Sequence, residues 1–243
     1  MRKGSLKGLS RAGTWSEAVE AAYAAFDYPP PRGALETSPH KDGEQMFRDL
    51  TSAPRRELTW DKLTAFEGSA ISTAGTVGDF KHFLPRIMEL MVPAEGDAFY
   101  PDIVAGKLRY AGWEHWPPDE IAAVRDVFRT TVRQALFVAP GKVLWSSLLE
   151  GNAAVGNALA VVLAGVMPEG GFDEDRAVVN LAELVMEVVA PPKRIWQSLS
   201  GEDQAAVAAW VKSPQVANAL LRGIDFVPEA DAYIIESALS VVA

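Results

Sequence analysis

Cysteine is absent from the 243 residues, so disulfides, thiolate nucleophiles and thiolate-held zinc or iron–sulfur clusters are excluded together. Histidine is nearly absent: His40, His82 and His115 stand far apart, and none falls in an HxxxH or HExxH spacing. A metal site is therefore not expected, since such sites need ligands brought onto one face or into one loop. Asp42 and Glu44 near His40 are oxygen donors, but SPHKDGE reads as a polar loop entering a helix. No GxSxG elbow occurs, and Ser146, Ser147 and Ser198 lie in segments that read as ordinary helices. No glycine loop follows a strand, because no segment alternates as a strand does, and ATP and dinucleotides are left without a cradle. No cofactor is expected.

Long apolar runs are missing as well. The most apolar stretch, Ala153 to Met167, has 15 residues interrupted by Asn157, short of the roughly 18 to 20 that span a bilayer. It is expected to form a buried helix, and no membrane association is expected. The first residues are basic (Arg2, Lys3, Lys7, Arg11) but are not followed by the apolar stretch of a secretory signal. Residues 1–14 read as a basic tail, and the expected location is cytoplasmic. Positive charge is in short supply overall: 23 Lys and Arg stand against 32 Asp and Glu, for a net charge of -9. Such a field repels phosphate backbones, so nucleic acid is not an expected partner. The acidic excess concentrates in residues 141–243, which hold 6 basic and 13 acidic residues. One reading of that half is a surface that neutralises a basic partner.

Helix signals, by contrast, run along the whole chain. Thr14 and Glu17 form a capping box ahead of Trp15, Val19, Tyr23 and Phe26, and Tyr28-Pro29-Pro30-Pro31 stops that helix. A short helix is expected near Glu44 to Leu50, and another, capped by Thr59, is expected to carry Trp60, Leu63, Phe66 and Ile71. Asp79 is expected to cap a segment containing Pro85, which either kinks it or opens a new helix. Asp102 is expected to cap a helix through Tyr110. The longest helix opens at Pro117-Pro118-Asp119-Glu120, with Ile121, Val124, Phe128, Val132 and Leu136 on one stripe. Further helices are expected at 142–149, 153–167 and 174–189, then after Ser200, Ser213 and Pro228.

About ten helices with short connections and no βαβ alternation predict an all-α protein, either a multi-helix antiparallel bundle or an irregular helical-repeat-like stack. Residues 15–243 read as a single helical domain. A subdomain boundary, if there is one, falls near 140, where the composition turns from aromatic and charged to aliphatic and small.

Candidate chemistry concentrates in TAGTVGDFKHFLPR. Thr73, Gly75, Asp79, His82 and Arg86 lie within it, and the last three are spaced to share one helical face. A carboxylate, an imidazole and a guanidinium together could grip an anion or polarise a hydroxyl; the competing reading makes them a cap, a satisfied helix residue and an ion-pair partner. Trp113, His115 and Trp116 form a second polar and aromatic loop that either lines a groove for a partner or wedges between helices.

AYAAFDYPPPR, LTWDKLTAFEGSAISTAGTVGDFKHFLPRIMELM and GWEHWPPDE together resemble a family of uncharacterised bacterial all-helical proteins carrying a TxG…DFxxFLPR motif. The resemblance covers roughly residues 18–137, with a weaker echo in AAWVKSPQVANALL. It implies a helical fold and no activity. Members often carry a pair of cysteines in the connector after YPxPR; here that connector reads ETSPHKDGE, so a metal or redox role resting on them does not pass to this chain. With every catalytic signature missing, the expectation is a protein–protein interaction or scaffold module. Its candidate recognition patch is Thr73, Gly75, Asp79, His82, Arg86, Trp113, His115 and Trp116. The alternative is a small-molecule-binding protein or enzyme using Asp79, His82 and Arg86 in an interhelical pocket.

Overall fold

The computed structural model describes residues 14–92, 96–138, 141, 143–167, 172, 174–189 and 198–242. The basic tail, Thr14 excepted, lies outside the described residues, as does Pro140. Twelve α-helices run through the described part: α1 (Trp15–Ala25), α2 (Gly43–Leu50), α3 (Trp60–Glu67), α4 (Val77–Glu89), α5 (Pro101–Tyr110), α6 (Pro118–Ala135), α7 (Trp145–Ala154), α8 (Leu159–Ala164), α9 (Asp175–Val189), α10 (Gly201–Val211), α11 (Pro214–Gly223) and α12 (Glu229–Val242). Extended pairing among these residues is limited to isolated bridges joining Thr37 and Ala70 to Ala74. The all-α class is what the helical periodicity predicts.

Helix ends explain where the structure departs from the sequence reading. α1 starts with the expected capping box, Thr14 and Glu17 bonding each other's backbone N–H. At α4 the cap is Thr76, not Asp79; Asp79 is the third helical residue, and its carboxylate closes a capping box on the Thr76 N–H at 2.7 Å. α4 then runs unbroken through Pro85. α5 opens one residue before the expected cap: Tyr100 holds that position and Asp102 sits in the first turn. α3 stops at Glu67, and Ile71 adopts φ 66°, a left-handed conformation that no helix continues through and that strains a β-branched residue. The single helix expected over 153–167 is not one element: Ala153 and Ala154 end α7, and only Leu159–Ala164 forms a helix of its own. Gly156 turns left-handed at φ 76°, Asn157 Nδ2 donates to the Arg125 carbonyl at 3.0 Å, and the chain restarts as α8.

One buried apolar cluster extends from Ala18 to Ala238. α1 lies on α6 and α4, α5 on α7, and α9 packs with α7, α10, α11 and α12. α9 also ties down the ends of its neighbours. Asn180 Nδ2 donates to the Leu136 and Val138 carbonyls at 2.8 Å, satisfying the end of α6. Glu187 accepts from the Trp145 and Ser146 N–H groups at the start of α7, at 3.2 and 2.8 Å. A carboxylate placed there completes orphan donors and complements the helix dipole. Across the core, Gly151 of α7 meets Pro101 of α5: a Cβ on it would stand 2.7 Å from the proline Cβ and 2.8 Å from its carbonyl carbon. Only glycine allows this approach, and it sets how closely α5 and α7 pack.

Candidate functional site

The turn from Thr73 to Arg86 is held by structural bonds. Thr73 is exposed, and its carbonyl accepts from Ser38. Gly75, at φ 65°, donates its N–H to Glu36 and leaves room for the Phe66 ring, which an added Cβ would approach to 3.1 Å. Asp79 is occupied by Thr76. His82 is buried, and its Nδ1–H donates to the Tyr28 carbonyl at 2.6 Å. Arg86 donates to the Leu58 carbonyl at 2.7 Å and pairs with Glu89 at 2.8 Å. Asp79, His82 and Arg86 thus each engage different partners, four in all, and no hydrogen bond joins any two of them. The shared face supplied by the helical spacing is used to clamp the loop after α1 and the entry of α3 onto α4.

His82 carries a pH dependence that follows from its placement. Burial pushes its imidazole below the ordinary value near 6.5, outweighing the Tyr28 bond, and the Arg55 charge adds to the shift. The unfolded chain then takes up the proton first, so this contribution to stability is complete above about pH 6.5 and is lost as pH falls below it. Urea unfolding of the wild type and of His82→Gln between pH 5 and 8 should show a stability difference that is flat on the alkaline side and declines on acidification. A difference that grows on acidification would mean that the folded state favours the charged ring.

The tryptophan loop is directed inward. Trp113 and Trp116 are buried, Trp116 stacking edge-on against Phe26 at 5.8 Å, whereas His115 is exposed. Beneath Trp116 lies a closed polar network. Lys81 Nζ donates to Glu120 at 2.6 Å and to the Tyr28 hydroxyl at 3.0 Å, and stands 4.2 Å from the Trp116 ring centre. The Tyr28 hydroxyl donates in turn to the other Glu120 oxygen at 2.6 Å. Every polar end of this network has a partner, which makes it a brace between α4, α6 and the chain after α1.

Open space with unsatisfied chemistry is found elsewhere. Asp102, Ala105, Gly106 and Arg109 of α5, Glu150, Ala153 and Ala154 of α7, and Ser198, Ser200 and Asp203 at the entrance to α10 line a cleft of about 460 Å³. A serine hydroxyl holds each of the three carboxylates. Ser147 donates to Asp102, Ser198 to Glu150 at 2.6 Å, and Ser200 to Asp203 at 2.7 Å. Burial raises the Glu150 carboxyl above its ordinary range, opposed by the Ser198 bond and reinforced by the Asp102 charge. Arg109 is exposed and makes no ion pair with a described residue, although three carboxylates share its cleft. Small residues line the walls, and a Cβ added to Gly106 would meet no atom of the described residues beyond its own helix within 4 Å. No group of three or more Asp, Glu or His among the described residues is placed to hold a metal ion. Beside the cleft, the α5 cap residue Tyr100 and the helical residues Ile103 and Tyr110 are exposed, at 55, 48 and 65%.

The sequence contained a signal for this cleft. Asp102, Gly106 and Arg109 recur at i, i+4 and i+7, and a glycine inside a helix asks for a reason. Reading Asp102 as a cap obscured that face, and Glu150 and Asp203 join it only through packing. No family model matches the chain, and neither any curated protein nor any solved structure matches it.

Proposed function

We propose that this protein acts by binding another protein, and that the binding site is the corner formed by the α5–α7–α10 cleft and the exposed edge of α5. The observation that carries this reading is the stripe Tyr100, Ile103 and Tyr110, standing clear of the core next to a cleft with three carboxylates and one guanidinium. Large apolar side chains in a row on one helix, rimmed by polar groups, are the usual anchors of a protein interface. The charge balance of the cleft favours a positively charged group. The partner segment it fits therefore carries a lysine or arginine flanked by apolar or aromatic residues. This joins the interaction reading and the basic-partner reading in one place, away from Asp79, His82 and Arg86. Among the described residues no helix is long and apolar enough to cross a membrane.

Selection of binders from a displayed library of random dodecapeptides tests this. The enriched peptides should share a basic residue next to an apolar one, bind at least 10-fold more weakly to Ile103→Glu, and weaken steeply with added salt. Peptides without a basic residue, or binders indifferent to Ile103→Glu, would overturn it.

A further inference from the structure

We infer that the cleft is built to take a lysine or arginine together with a free carboxylate, the cation held by Asp102 and Glu150 and the carboxylate by Arg109. This rests on the recognition reading above and narrows it. Two sources present that pair of groups: the C-terminal residue of a partner chain, or the free basic amino acid.

Two features carry the inference. The first is the unused Arg109. Three arginines elsewhere in the described structure close on a neighbouring carboxylate, Arg56 on Glu20 at 2.5 Å, Arg129 on Asp126 at 2.7 Å and Arg86 on Glu89 at 2.8 Å, while Arg55 and Arg176 spend their guanidinium groups on backbone carbonyls. Arg109 shares a cleft with three carboxylates and pairs with none, while Asp102 and Glu150 are held back by the hydroxyls of Ser147 and Ser198. Opposite charges kept apart across one open space are arranged for a ligand that carries both. A guanidinium is suited to a carboxylate through two parallel bonds, and carboxylates are suited to an ammonium or guanidinium. A purely cationic ligand would leave Arg109 repelled, and a purely anionic one would face the three carboxylates.

The second feature is Gly106. Glycine is a poor residue inside a helix, yet among the described residues, its own helical backbone aside, no atom lies within 4 Å of where a Cβ would stand, and the residue lines the cleft. At about 460 Å³ the cleft lies in the lower part of the range for small-ligand sites and suits one amino-acid residue.

The test uses the full chain and fluorescence anisotropy with a labelled octapeptide that ends in two apolar residues and a lysine. The peptide with a free C-terminal carboxylate should bind at least 10-fold more tightly than its C-terminal amide. Arg109→Gln should erase that preference, Glu150→Gln should weaken both forms, and Gly106→Leu should weaken both while the melting temperature is held or raised. Competition by free L-lysine separates the sources. Equal potency to the peptide assigns the site to the free amino acid, and a peptide at least 10-fold better assigns it to a chain end. Acid and amide bound equally well would overturn the carboxylate inference and leave the recognition reading standing. Failure of both forms to bind, with library peptides still selected in an Ile103-dependent manner, would also overturn the inference alone. Failure of both, with no library binders, overturns the two together.

Discussion

Lys81→Met should lower the unfolding free energy by about 3 to 5 kcal/mol, as loss of one partner from a buried ion pair does. The substitution keeps the length and bulk of the side chain and removes its charge. Glu120, 3% exposed, would then be a buried carboxylate with only the Tyr28 hydroxyl as donor. The magnitude reflects that stranded charge, because taking a carboxylate out of water is the expensive half of the pair. Replacing both groups, Lys81→Met with Glu120→Met, should recover most of the loss, since apolar residues of similar volume replace buried pairs with little penalty. Urea denaturation of the two single variants and the double variant gives the coupling directly. A Lys81→Met penalty below about 1 kcal/mol would mean that water reaches Glu120 and that the network braces nothing.

A comparable loss, about 3 to 5 kcal/mol, is expected for Phe128→Ala, because a large ring removed from a core leaves a cavity that neighbours only partly fill. Phe128 is fully buried on α6, the helix that α1 and α7 both pack against. In a domain whose whole stability is of the order of 5 to 15 kcal/mol, such a change should move the melting temperature by roughly 6 to 20 °C. Circular dichroism at low temperature should still report a helical protein. A shift of a degree or two would show that the core closes over the gap. The two substitutions touch the same helix by different physics: one strands a charge and the other opens a void.

Of the sites, the Thr73 to Arg86 turn was visible in the sequence as an unusual string, and the structure gives a mechanical reason for it. Gly75 must be left-handed beside Phe66, Asp79 must complete the cap with Thr76, and His82 and Arg86 must reach the carbonyls of Tyr28 and Leu58. Helical spacing correctly placed the side chains three and four apart, but spacing states where a side chain starts and not what meets it. The tryptophan loop shows the same limit, since rings that could line a groove are instead packed under α6's start and over Lys81. The cleft was the harder case. Its α5 face is periodic and legible, whereas Glu150 and Asp203 lie 41 and 94 positions beyond Arg109 along the chain.

What the sequence determined by itself was local. Helices follow from apolar residues at 3.6-residue spacing and from caps such as Thr14, Ser200 and Ser213, whose side chains accept from a backbone N–H three residues on. These interactions close within one turn, so they need nothing from the rest of the chain. Tertiary structure alone decided which charges would be buried together and which would be left apart. Lys81 and Glu120 stand 39 residues apart in sequence, Asp102 and Ser147 stand 45 apart, and whether either pair meets depends on how closely α4 and α6, or α5 and α7, approach. That approach is set by the shape of interlocking side chains, down to the missing Cβ of Gly151 against Pro101, and periodicity carries no record of it.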